Sequence, residues 1–145
     1  MRNNKKLFYI LSFTWGIIMT FVGIVAALCL IATGHKPKKH GWCYYFEVGK
    51  GWGGVNLGIV FITAANPSEH TKNHEHGHAL QNCIWGPLMP FVIALPSAAR
   101  YHIRNFQEKK GKKLNSYDSA WFEGQASTWG DKFIYSLGGE NNGDN

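Results

Sequence analysis

The stretch His74-Glu75-His76-Gly77-His78 sets two imidazoles four residues apart, with a carboxylate directly after the first. On an α-helix, positions four apart share one face, so both rings reach a single cation while Glu75 addresses the water that the cation holds. The chemistry this spacing predicts is hydrolysis by a metal-activated water. Bound zinc lowers the pKa of that water toward about 7 and polarises a carbonyl; Glu75 accepts the water's proton and later returns one to the leaving amine. A hydrolytic zinc site takes three protein ligands and leaves a fourth position for water, so one ligand must come from elsewhere. Of the later carboxylates, Glu108 lies in a lysine-rich link, and Glu140 and Asp144 lie in a polar tail. Glu123, Asp118 and Asp131 remain as candidates. His35, His40, His70 and the inner His76 are read as surface residues, because the motif uses only its outer histidines.

These groups need elements to hold them. Asn66-Pro67-Ser68-Glu69 predicts a helix start, with Asn66 as cap, Pro67 at the first helical position and Glu69 completing a capping box. The helix is expected to run to Cys83 or Ile84. Gly77 inside it costs about 1 kcal/mol relative to Ala, which predicts close packing against a neighbouring element. Upstream, Trp42 to Val48 and Val55 to Thr63 read as two strands of a β-hairpin turning at Gly49 to Gly54. Downstream, Trp85 to Ala99 is apolar but carries Pro87, Pro90 and Pro96 and would reach only about 22 Å if fully helical, so it is expected to be re-entrant, interfacial or buried in the domain. A hydrophilic link, Arg100 to Ser116, leads to a last helix, Tyr117 to Tyr135, with Trp121, Phe122 and Trp129 as its apolar contacts.

The chain has 145 residues, a formal charge of +6 and a pI near 9.3, enough length for one modest domain. From Leu7 to Thr33 no residue is charged, a run of about 40 Å as helix against a hydrocarbon core of about 30 Å. It exceeds the roughly 7 to 15 apolar residues of a signal peptide. The expectation is one retained N-terminal transmembrane helix in an α+β protein: residues 1–34 as tail and span, 35–137 as the domain, 138–145 as a disordered tail. Lys5, Lys6, Lys36, Lys38 and Lys39 flank the run, which points to a lipid bilayer as partner, and no nucleic-acid-binding signature accompanies the charge. Arg2, Lys5 and Lys6 against Lys36, Lys38, Lys39 and Lys50 favour a cytoplasmic domain by a small margin. Three cysteines without a CxxC pair indicate neither a disulfide framework nor a thiolate zinc site.

Asn73 to Asn82, then Trp85-Gly86-Pro87-Leu88, then Leu95-Pro96-Ser97 resemble a family of small bacterial membrane proteins that carry HEYGHxxQS, LGPLY and a G(I/L)PS turn, followed by a helix reading roughly FxTExWAN. These are similar to gluzincin metallopeptidases. The resemblance implies a zincin-like domain in a single-pass protein of the bacterial cytoplasmic membrane, acting on peptides or membrane-proximal protein segments. It implies Zn2+ held by His74, His78 and Glu123, with Glu75 as catalytic base, and a strand edge within Val55 to Thr63 pairing with extended substrate. His76, Asn82, Phe122, Gln125 and Ser127 depart from the family pattern. Ser127 and Asp131 are candidates for support of the ligands, and Tyr101, His102 and Tyr117 for stabilising the oxyanion. The alternative is a non-catalytic membrane interaction protein on the same scaffold. An intramembrane protease is disfavoured by the polar Glu69 to Asn73 and by the lack of a later membrane helix bearing an Asp.

Overall fold

In a computed structural model, which describes residues 4–140, the uncharged run from Leu7 to Thr33 breaks into two helices, α1 (Lys5–Phe13) and α2 (Ile17–Ala32), bent by 90°. At 1.5 Å per residue they reach about 13 and 24 Å, each short of the bilayer core. The expected single transmembrane helix is thus corrected: among the described residues no helix is long and apolar enough to cross a membrane. The break has local and tertiary causes. Thr14 turns its hydroxyl back onto the Ile10 carbonyl (2.6 Å), and the Gly16 N–H reaches past the helical register to the Leu11 carbonyl (2.7 Å). Across the bend, the Asn82 amide donates to the Gly16 carbonyl (3.1 Å) and the Trp15 indole to the Ile84 carbonyl (3.0 Å). A Cβ on Gly16 would strike the Asn82 side chain, so Gly16 makes this approach possible.

The strands β1 (Lys38–His40), β2 (Cys43–Glu47), β3 (Gly54–Leu57) and β4 (Val60–Thr63) form one sheet in the order β1-β2-β4-β3. The expected hairpin between Trp42 to Val48 and Val55 to Thr63 is corrected as well. Val55 to Thr63 is itself a hairpin, β3 against β4, while β2 lies parallel to β4. Its turn sits at Gly58, whose φ of 74° suits glycine, and Asn56 staples it by accepting from the Gly58 N–H (2.9 Å) and donating to the Gly58 carbonyl (3.1 Å). Gly58 also packs directly on Thr20, and Gly23 on the Leu57 carbonyl, so α2 is seated on this turn through small residues.

α3 (Glu69–Trp85) is capped by Ser68, whose hydroxyl accepts from the Thr71 N–H (3.1 Å), two positions later than expected. Asn66 instead takes a left-handed φ of 56°. The apolar segment after α3 folds as a 3-10 turn (Gly86–Leu88) and a π turn (Pro90–Ala94) leading into α4 (Leu95–Lys109), bent 117° from α3. Much of the expected hydrophilic link is therefore helix. Tyr117–Ser119 is a short 3-10 turn, and α5 (Trp121–Glu140) begins four residues later than expected and runs beyond Tyr135. The expected tail is helical to Glu140; residues 141–145 lie outside the described residues. The main core gathers Phe8, Trp42, Phe46, Phe61, Leu80 and Phe133 from α1, the sheet, α3 and α5. A second cluster of Met19, Met89, Ile93 and Phe122 lies beside the site.

Candidate metal centre

α3 and α5 meet backbone to backbone. A Cβ on Gly77 would collide with the Ala126 carbonyl, and one on Gly130 with the Asn73 carbonyl, so only glycine permits this spacing. The close crossing inserts Glu123, fully buried in the first turn of α5, between the two outer histidines of α3. His74 Nε2 and His78 Nε2 stand 3.1 Å apart, and Glu123 Oε2 lies 3.1 Å from the first and 3.3 Å from the second. These three buried ligand atoms form a group that can hold a metal ion.

The hydrogen bonds behind the rings settle which nitrogens face inward. The Gln81 amide donates to the Phe122 carbonyl (2.9 Å) and to Gln125 Oε1 (3.0 Å), which leaves Gln81 Oε1 to accept from His78 Nδ1 at 2.7 Å. The Ser127 hydroxyl donates to Asp118 Oδ1 (3.0 Å), so its oxygen accepts from His74 Nδ1 at 2.8 Å. Both Nδ1 atoms carry the proton, and both Nε2 atoms present lone pairs to each other and to the Glu123 carboxylate, whose oxygens have no hydrogen-bond partner. Two lone pairs and a carboxylate this close repel unless a positive charge stands among them, either a metal ion or an added proton. The electrostatics agree. Burial pulls the His78 pKa down, but Glu123, Glu75 and Gln81 push it up and prevail. Burial pushes Glu123 up, yet the two imidazoles outweigh it and hold the carboxyl well below its usual range.

Glu75 lines the same cavity, which holds about 640 Å³. Its side chain is buried, and burial raises its pKa, opposed by His78 and His74 and aided by Glu123. Gly54 of β3 makes room for it: a Cβ there would stand 2.6 Å from Glu75 Oε1. Asn56 fixes its backbone by donating to the Glu75 carbonyl (3.0 Å). Met19, Leu57, Met89 and Ile93 give the cavity an apolar part, and β3, an outer strand of the sheet, lines it from Gly54 to Leu57.

Tyr101, His102 and Tyr117 all line this cavity. Tyr117 comes nearest the ligands, its ring 6.2 Å from that of His74, and burial followed by the Glu123 charge pushes its pKa up to about 12. Arg100 holds its turn by donating to the Ser116 carbonyl (3.3 Å), the Tyr117 carbonyl (3.1 Å) and the Ser119 hydroxyl (2.7 Å). Asp131 is not brought to the ligand group; it accepts from the Asn73 amide (2.8 Å), which makes its carboxylate a tie between α5 and α3. The expectation of a surface His76 is corrected. Its ring is fully buried, stacked on Phe133 (4.6 Å between centroids) and accepting at Nε2 from the Trp42 N–H (3.2 Å).

No protein-family model, curated protein or solved structure matches this chain. The site stands on its own geometry. Sequence reasoning passed over Gly130 and Asn56, named Gln125 only as a departure from the family pattern, and missed the role of Asp118 behind Ser127. Only Gly130 carried a signal, its spacing from Glu123 and Ser127 along one helix, and a face of a helix does not say what it meets.

Proposed function

We propose that this chain is a zinc-dependent peptidase in which His74, His78 and Glu123 hold the metal and Glu75 is the general base. The observation that carries the reading is the convergence of two imidazole lone pairs and an orphaned carboxylate next to a buried glutamate in one cavity. Two nitrogens and one oxygen, with a side open to a cavity, suit zinc in a hydrolytic site better than a closed structural one. Zinc bound there supplies Lewis acidity to a substrate carbonyl and acidity to a water. Glu75, with its pKa raised, takes up the water's proton and delivers it to the leaving nitrogen. Tyr117, its ring 6.2 Å from that of His74, is a donor for the oxyanion, and the free edge of β3 offers backbone groups to an extended peptide.

Metal analysis joined to peptide-library cleavage tests this. Wild type is expected to hold about one zinc per chain and to cleave. Glu75→Gln keeps the zinc and loses at least about a hundredfold in turnover, whereas Glu123→Ala loses the zinc. Zinc retained undiminished in Glu123→Ala removes the ligand assignment. Zinc bound without cleavage by wild type removes the peptidase reading in favour of a metal-stabilised binding scaffold.

A further inference from the structure

The bent pairs α1–α2 and α3–α4 are joined at their elbows. The Trp15 indole bonds the Ile84 carbonyl and covers Gly86, and Asn82 bonds the Gly16 carbonyl. Outward from this junction the surface is apolar: Ile18, Phe21, Val25 and Leu28 on α2, and Leu88 and Phe91 after α3, are all exposed. Nothing charged interrupts the α1–α2 part of it, whereas water-facing surfaces of monomeric proteins rarely expose contiguous apolar patches beyond a few hundred Å².

We propose that this elbow-joined surface inserts into one leaflet of an anionic lipid bilayer, without crossing it. Charge selects the occupant. Exposed lysines stand at both ends of the pair, Lys5 and Lys6 in the first turn of α1 and Lys36 and Lys39 after α2, while Lys38 beside them is paired with Glu47. An anionic headgroup layer neutralises both ends together, whereas a second copy packed on this face would set lysines against lysines. The backbone suits lipid too, since the Thr14 and Gly16 N–H groups and the Ile84 carbonyl at the bends are bonded within the protein. Insertion is limited to one leaflet because straightening either pair would break the Asn82, Trp15 and Ser12–Cys83 contacts across the elbows. Met19 and Met89, each next in sequence to an exposed residue of this surface, Ile18 and Leu88, line the cavity, so the metal centre would open near the headgroups.

Cys29 is exposed on α2, while Cys43 and Cys83 are buried, so a maleimide fluorophore placed on the full chain reports from the proposed surface. With vesicles of phosphatidylcholine and phosphatidylglycerol, emission should rise and shift to the blue, and the protein should float with the lipid, bound about tenfold more tightly than to phosphatidylcholine alone. Doxyl groups high on the acyl chains should quench the label more than groups at the bilayer centre. Phe21→Glu with Leu28→Glu should abolish flotation while zinc content stays at the wild-type value. Failure to float, equal flotation of the double variant, strongest quenching at the bilayer centre, or a vesicle-independent blue shift with a stable dimer would each overturn the proposal. None of these readouts depends on peptidase activity, so the two readings fail separately.

Discussion

At His76, burial between aromatic rings, with the nearby His40 adding to it, holds the pKa down at about 3. The same ring in the unfolded chain titrates near 6.5. Below that pH the unfolded state binds a proton that the folded state refuses. Stability contributed by the neutral ring is complete above about 6.5 and is lost as pH falls toward 3, by up to about 1.4 kcal/mol per pH unit. His76→Phe should remove this part of the acid sensitivity while costing about 1–3 kcal/mol at neutral pH, because the Trp42 N–H loses its acceptor. Urea unfolding of metal-free protein at pH 7 and pH 5 measures both effects, and an unchanged pH slope in the variant would place the acid sensitivity elsewhere. Glu75 shares the cost of burial, and in the proposed peptidase its raised carboxyl pKa would bring the general base closer to working pH.

The metal centre depends on how closely α3 and α5 approach, and that distance is set by two glycines. Gly77→Ala and Gly130→Ala should each destabilise the fold by about 1–3 kcal/mol and weaken metal binding, since the added methyl meets a backbone carbonyl that has nowhere to retreat. Gly138→Ala is the control: its Cβ would meet no atom within 4 Å, and helix propensity alone predicts a gain of up to about 1 kcal/mol. Thermal melts and a chelator competition on the three variants check this pattern. Equal behaviour of all three would mean that the crossing adjusts freely and does not set the ligand geometry. The element also explains the support of the rings. The Ser127 hydroxyl lies one turn after Glu123, so a single helix supplies a ligand and the acceptor that orients another ligand.

Across the whole molecule, α1 and α2 belong to the same packed unit as α3. Phe8 is fully buried in the main core, the Tyr9 hydroxyl donates to the Trp42 carbonyl (2.8 Å), and Met19 closes the cavity wall. Deleting residues 1–34 should therefore leave a chain that neither melts cooperatively nor binds zinc, read by circular dichroism and metal analysis. A truncated chain that still binds zinc with wild-type affinity would show that the helices are an appendage.

The sequence by itself determined what is local. The four-residue spacing of His74 and His78 and the helix that carries them follow from interactions within one or two turns, and Gly77 inside that helix signals a close approach without saying to what. The length of the uncharged run is equally local. The α+β class was legible, but the path of the strands was not, because a run rich in Val, Ile and Phe across Val55 to Thr63 hides a turn that needs only Gly58 and the Asn56 staple. The uncharged run likewise predicts one long helix; its bend depends on Asn82 and Ile84, far along the chain. Tertiary structure alone decided the burial of His76, the backbone contact at Gly130, the Ser127 hydroxyl that accepts from His74, and the hold of Phe122 and Gln125 on the Gln81 amide that leaves its oxygen to accept from His78. Each of these depends on a partner distant in sequence, and a residue's own type and spacing carry no record of which partner the fold will bring to it.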